Sequence, residues 1–284
     1  MNTVFVFTNR KQMIGAKVAK FALEKHRRDP ASFTVEIVED EATPAFQNLA
    51  GTRYLFEKRT NEWRIFSFDD LQSFTLTRFM PPAVMGYQGR AIGIDPDIFA
   101  LTDVTELFDL DLAGHAVAAC RKKDAWDSSV ILMDCEKLRQ WDIEKILADI
   151  TIGTRSYMDI MTLKGEDVQE IPRSWNSLDS LTPDTKMLHT TTRLTQPWKT
   201  GLPIDFTRNK MPKYFGVIPR EPIHKLLGKY PTRYQPHPDP AVEHFFFSLL
   251  KESVAAGAVS DSEIAEAIRE GNVRVDLRTV MASV

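Results

Sequence analysis

Cysteine is scarce here: Cys120 and Cys135 are the only two in 284 residues. Two thiols build neither a disulfide framework nor a four-thiolate metal site, and their scarcity fits a reducing, cytoplasmic compartment. Long apolar runs are missing as well. Nothing approaches the roughly 20 consecutive residues that cross a bilayer, and the opening run Val4 to Phe7, followed by Arg10 and Lys11, is far too short for the core of a signal peptide. There is no excess of one charge: 36 basic residues against 39 acidic leave a formal net charge of −3. No bulk field therefore steers the chain to nucleic acid, and phosphate recognition must be local. Also absent are the Gly-x-Gly-x-x-Gly and Gly-x-x-x-x-Gly-Lys-Ser loops of dinucleotide and P-loop enzymes, the Gly-x-Ser-x-Gly elbow, internal repeats and low-complexity tracts.

What is present is a globular composition, 43% hydrophobic and 26% charged, with length for one large α/β domain and an appendage. Val4 to Phe7 reads as a buried strand, and Ile14 to His26 carries apolar residues at helical spacing. Val35 to Val38 gives another strand. Phe74 to Phe79 reads as a short amphipathic helix stopped by Pro81 and Pro82. A strand opening at Gly89 breaks at Asp95-Pro96-Asp97, because proline has no N–H for an interior ladder position. Asp103 to Phe108 reads as a helical turn, Ala116 to Cys120 and Val130 to Met133 as strands, Glu136 to Asp149 as a helix, and Met187-Leu188 as a short strand. This alternation predicts an α/β sandwich with functional groups at the carboxyl ends of strands. From Asp205 the composition changes: prolines at 212, 219, 222, 231, 236, 238 and 240 precede helices over Ala241 to Ala256 and Ser260 to Glu270, with Ser260 and Glu263 as a capping box. Residues 1–204 are expected to form the catalytic domain and 205–284 a C-terminal extension.

Asp95 and Asp97 can point the same way only if the backbone stays extended between them, and Pro96 helps to fix that. Carboxylates held so close repel unless a cation neutralises them, and oxygen ligands select hard ions such as Mg²⁺ or Mn²⁺. Such ions keep positions open for substrate phosphate, which suits a diphosphate donor. Asp-Pro-Asp alone is equally a turn, in which aspartate accepts backbone N–H groups.

Tyr87-Gln88-Gly89-Arg90-Ala91-Ile92-Gly93-Ile94-Asp95-Pro96-Asp97, continued by Leu101-Thr102-Asp103-Val104-Thr105-Glu106-Leu107-Phe108, resembles the donor-binding core of glycosyltransferase family 8. There an Asp-x-Asp closes a strand and a short helix follows. Thr77-Arg78-Phe79-Met80-Pro81-Pro82 resembles the family's arginine-containing helix, which makes Arg78 a candidate donor contact. Met187-Leu188-His189 followed by Gln196-Pro197-Trp198 resembles the element whose histidine is the third metal ligand, so the implied ligand set is Asp95, Asp97 and His189. Imidazole beside carboxylates suits Mn²⁺. The resemblance spans residues 3 to 200 and implies a GT-A-type, Rossmann-like mixed sheet flanked by helices. It further implies a nucleotide-diphosphate sugar donor, UDP-linked in the family, a glycan or other hydroxyl acceptor, and retention of configuration.

The chain departs from the family at several positions. Gln196 replaces a lysine, a glycine is absent, and the spacing from His189 to Pro197 is longer by one residue. Arg193 or Lys199 would then supply the positive charge, and Thr8, after the first strand, joins the implied donor contacts. Asp127-Ser128-Ser129-Val130 stands where the family's sugar-contacting loop lies, and Tyr157-Met158-Asp159-Ile160 where the family has Asp-Gln near the transferring sugar. Asp127 and Asp159 are the implied sugar or acceptor contacts. Trp175-Asn176 resembles a dipeptide of many members, and equally reads as a buried aromatic.

His115, His224, His237 and His244 have no spacing that makes a zinc site, and read as surface or packing residues. Val242 to Leu250 is apolar enough to dock on the core, with a subunit interface or a membrane surface as the alternative. Other function classes consistent with the same residues are a non-catalytic nucleotide-sugar binding protein and a metal-dependent phosphohydrolase.

Overall fold

The computed structural model of the protein describes residues 2–206 and 231–284. β1 (Asn2–Thr8) leads through a 3-10 turn into α1 (Met13–His26), which returns along the sheet to β2 (Phe33–Glu39). Strand side chains alternate between faces, and β1 is buried on both: Val4 and Val6 face the core that holds α1, Phe5 and Phe7 the opposite one. That double burial is why β1 reads as an unbroken apolar run.

β3 (Arg53–Glu57) and β4 (Glu62–Ile65) form an antiparallel hairpin that sequence reading missed. A register irregularity between Leu55 and Glu57 leaves the adjacent Leu55 and Phe56 both buried and breaks the alternation that marks a strand. The expected amphipathic helix at 74–79 is instead a 3-10 turn, Ser73–Phe79, buried on every side. It ends at Phe79, ahead of Pro81 and Pro82 as expected, and the prolines begin α2 (Pro81–Val84), where the missing N–H has no helical partner to lose. β5 (Arg90–Ile94) ends at Asp95 as expected, and β6 (Ile98–Ala100) and α3 (Thr105–Phe108) follow.

β7 (Val117–Lys122) and β8 (Ala125–Asp134) are longer than their apolar cores and form a hairpin. The helix expected from Glu136 starts later: α4 (Ile143–Ile152) begins after Asp142, whose carboxylate accepts the N–H groups of Glu144 and Lys145. α5 (Tyr157–Met161), β9 (Val168–Glu170), β10 (Ser177–Leu178) and β11 (Met187–His189) complete the first 206 residues. The central six-stranded sheet has the order β2-β1-β5-β8-β7-β9, with β1 parallel to β2 and β5, and β8 antiparallel to β5 and β7. It is the mixed, helix-flanked α/β sheet expected. β10, β11 and β6 make a separate sheet.

α6 (Pro240–Ala255), α7 (Asp261–Arg269) and α8 (Leu277–Ala282) close the chain; the last was not foreseen. Phe246 is wholly buried, 4.6 Å from the Trp198 ring and 5.4 Å from Phe99. With Phe247 and Leu250 it belongs to the same core as α1, so α6 packs on the core as expected and these apolar residues face inward. Each such side chain contributes about 1.5–3 kcal/mol on burial. The prolines at 212, 219 and 222 and His224 lie outside the described residues. Among those described, no helix is long and apolar enough to cross a membrane.

Candidate functional site

β5 delivers Asp95 at its carboxyl end, where the Asp95 N–H still reaches the Ser129 carbonyl of β8 at 3.3 Å. Asp97 comes next, immediately before β6. β6 pairs antiparallel with β11 in a register that sets His189 opposite Ile98, and Thr190 N–H donates to the Asp97 carbonyl at 3.0 Å. The small second sheet thus carries the imidazole to the acidic pair across 92 residues of chain, counted from Asp97 to His189. One ligand atom from each of Asp95, Asp97 and His189 lies within 4.8 Å of the others, and all three residues are buried. His189 Nε2 stands 3.5 Å from Asp97 Oδ1.

The surroundings fix each group. Arg78, from the 3-10 turn, grips Asp95 in a fork, Nε to Oδ1 at 2.9 Å and Nη2 to Oδ2 at 2.5 Å, and donates Nη1 to Ser128 Oγ at 2.8 Å. Burial raises the Asp95 carboxyl above its ordinary range, Arg78 opposes this, and Asp97 adds to it. Gln196 donates Nε2 to Asp97 Oδ2 at 3.0 Å. On the far side of His189, Nδ1 lies 2.8 Å from Asn176 Oδ1, while Asn176 Nδ2 donates to Ser129 Oγ at 3.0 Å. Because the Asn176 amide nitrogen is committed to Ser129, its oxygen must accept from Nδ1–H. Nε2 is therefore the imidazole atom facing the carboxylates. Burial lowers the His189 pKa, but Asp97 and then Asp95 raise it further, and it ends above the ordinary value.

The ligand set fits a divalent ion. Two carboxylates and an imidazole nitrogen supply donors that Mn²⁺ or Mg²⁺ accepts, and each Asp95 oxygen keeps a lone pair beside the one given to Arg78. These residues line a cavity of about 600 Å³, inside the ~300–1,000 Å³ range of ligand sites. Arg193, Lys122 and Lys123 line it too, as does Asp127. Burial raises the Asp127 carboxyl, but the Ser129 hydroxyl, His189 and Lys122 lower it by more, so it stays ionised.

Ser128 and Ser129 are chain neighbours, which a regular strand would aim at opposite faces, yet both line the cavity. The pairing of β7 with β8 jumps between Ala119 and Cys120, from Ile131 to Asp127, and this irregularity turns the strand there.

No family model matches the chain, and no curated protein matches it. Among solved structures the chain is similar to galactosyltransferase LgtC in complex with donor and acceptor sugar analogues, at 14% identity over 70% of this chain and 89% of that one, with a TM-score of 0.46. It is similar to the glycosyltransferase GlyE of Streptococcus pneumoniae TIGR4, at 15% identity over 90% of this chain and 64% of that one, TM-score 0.46. Mouse xyloside xylosyltransferase 1 is similar at 14% identity over 68% and 98%, TM-score 0.43.

Of the residues named from sequence, Arg78, Asp95, Asp97, Asp127, His189 and Arg193 meet at the cavity. Three do not. Thr8 is wholly buried and its hydroxyl donates to the neighbouring Asn9 carbonyl at 3.1 Å. Lys199 is wholly buried with its ammonium 2.9 Å from Asp205, so it balances that carboxylate and not a ligand in the cavity. Asp159 is the N3 residue of α5: it accepts from Ser156 in a capping box and pairs with Lys164 at 2.7 Å. The residues sequence reading passed over are Asn176, visible only as part of a Trp-Asn dipeptide, Gln196, treated as a lost lysine, and the lysines of the β7–β8 turn. His115, read as a surface or packing residue, has Nδ1 2.8 Å from Asp167.

Proposed function

We propose that this protein is a metal-dependent glycosyltransferase, taking a sugar from a nucleotide-diphosphate sugar, uridine-linked for preference, to an acceptor hydroxyl with retention of configuration. The observation that carries the reading is the convergence of Asp95, Asp97 and His189 at the floor of a large cavity whose walls also carry Arg193, Lys122 and Lys123. Asp95, Asp97 and His189 would hold Mn²⁺ or Mg²⁺, which when bound neutralises charge on a leaving diphosphate. Arg193 and the two lysines bind the remaining phosphate charge; arginine does so in a fork, lysine as a point charge. Asp127, ionised and set by Ser129, accepts sugar hydroxyls. Arg78 holds Asp95 in place and keeps its carboxylate turned toward the centre. Two free, buried cysteines support a cytoplasmic setting.

Thermal shift tests the reading. A panel of nucleotide sugars with and without Mn²⁺ should raise the melting temperature only when both are present, by about 5 °C at ~100 times Kd. An equal rise without any divalent ion contradicts it. A second reading, a binding protein without transferase activity, is favoured by Asp159, whose carboxylate is occupied by helix capping. Slow Mn²⁺-dependent release of UDP from a UDP-sugar distinguishes the two, and release of sugar phosphate or nucleoside monophosphate instead would identify a phosphohydrolase.

A further inference from the structure

Beside the donor cavity lies a second hollow of about 200 Å³ that shares Phe56, Gln72 and Tyr157 with it. The acidic centre and the motifs that point to it leave this hollow without a role. It is built on the β3–β4 hairpin, and its walls are aromatic: Tyr54 packs 6.0 Å from Tyr157, Phe56 stacks on Tyr157 at 5.2 Å with planes 17° apart, and Phe66 contributes a further ring. Polar groups are interleaved with these rings. Arg64 lies over Phe56, 3.2 Å from its centroid, and Ser67, Asp70 and Gln72 complete the lining.

We propose that this hollow is the acceptor subsite and takes the pyranose ring of a neutral sugar. The inference rests on the transferase reading given above. A pyranose has an apolar C–H face that packs on aromatic rings and a rim of hydroxyls that needs donors and acceptors, and the lining offers both kinds of surface. Arg64 is paired with Glu62 at 3.0 Å, so with Asp70 the walls carry no surplus of positive charge, which suits a neutral ring and not a polyanion. The volume lies below the ~300–1,000 Å³ of drug-sized sites, so a single ring fits and a longer glycan would extend into solvent. The partition toward the donor cavity is fixed, because the Tyr157 hydroxyl is held 2.8 Å from Thr75 Oγ1. A ring seated here presents its hydroxyls across Gln72 and Tyr157 to the donor side. Burial pushes the Tyr54 hydroxyl above the ordinary phenol range, which leaves it a donor at neutral pH.

The test uses the full chain and methyl α- and β-pyranosides of glucose, galactose, mannose and N-acetylglucosamine as probes in saturation-transfer NMR titrations. Two variants report on the hollow. Ser67→Trp places a large ring from an exposed position into its mouth, and Tyr54→Ala removes a half-buried wall. At least one glycoside should bind the wild type and weaken about tenfold in both variants, while calorimetric UDP affinity in Mn²⁺ stays unchanged. The proposal is overturned if no glycoside binds, if binding survives Ser67→Trp, or if UDP binding is lost together with glycoside binding, which would make the hollow part of the nucleotide site. Glycoside binding that behaves as expected in a protein that never binds UDP would sink the donor reading and leave this subsite standing.

Discussion

The amide of Asn176 touches His189 Nδ1 on one side and the Ser129 hydroxyl on the other, and Ser129 in turn donates to Asp127 at 2.6 Å. A chain of hydrogen bonds therefore runs from the Asp127 carboxylate to the imidazole. Asn176 is a positioning residue: it holds the tautomer that leaves Nε2 toward the aspartates. Asn176→Leu should lower Mn²⁺ affinity about 10–100-fold in a calorimetric titration, and Asn176→Asp, which keeps an acceptor for Nδ1–H, should restore most of it. Equal affinity in the wild type and the leucine variant would remove Asn176 from the site. Sequence reading could reach Asp95 and Asp97 because a broken strand is a local signal, and it reached His189 only through the resemblance. It could not reach Gln196, since spacing does not say that a neutral amide will dock on Asp97 where a lysine was expected.

α1 approaches the acidic loop so closely that a Cβ on Gly15 would lie 2.7 Å from the Pro96 carbonyl oxygen and 3.3 Å from the Trp198 ring. One side of that contact is backbone and the other a fully buried indole, so neither yields cheaply. Gly15→Ala should cost about 1–3 kcal/mol by overpacking and should also weaken Mn²⁺ binding, because the strain falls on the residue between the two aspartates. Undiminished metal affinity would show that the loop absorbs the shift. At α7 the capping box gives a cleaner case: the Ser260 hydroxyl accepts the Glu263 N–H, and Glu263 reaches back to the Ser260 N–H at 2.8 Å. Ser260→Ala should cost about 1 kcal/mol, a fall of roughly 2–4 °C in melting temperature. Lys17 and then the Ser260 N–H hold the Glu263 carboxyl down to about 2, from 4.5. A depressed acid stabilises the fold above its unfolded value and loses this as pH falls. The Tm deficit of Glu263→Gln should therefore be full at pH 7 and shrink below about pH 4.5, toward nothing near pH 2. This box was legible because Ser-x-x-Glu names its own partners. The β3–β4 hairpin was not, since the irregular pairing between Leu55 and Glu57 breaks its alternation, and neither was β6, whose length of 3 residues shows no period at all.

Across the whole molecule, the mixed sheet places β5 and β8 side by side and antiparallel, so the end of β5 and the turned segment of β8 open on the same cavity. The second sheet adds His189, and α6 seals the underside through Phe246 on Trp198. The sequence made the α/β class readable, because strands buried on both faces alternate with a clear helical period. The convergence of the site was readable only through resemblance, because the β6–β11 pairing joins segments far apart in the chain and neither carries a pattern of its own. The central claim is that this assembly binds a nucleoside diphosphate through a divalent ion held by Asp95, Asp97 and His189. Calorimetric titration of UDP in the presence of Mn²⁺, on the wild type and on Asp97→Ala with its fold checked by circular dichroism, measures it directly. The account predicts Mn²⁺-dependent binding in the wild type and a loss of about 100-fold or more in the variant; equal UDP affinity in the two proteins would contradict it.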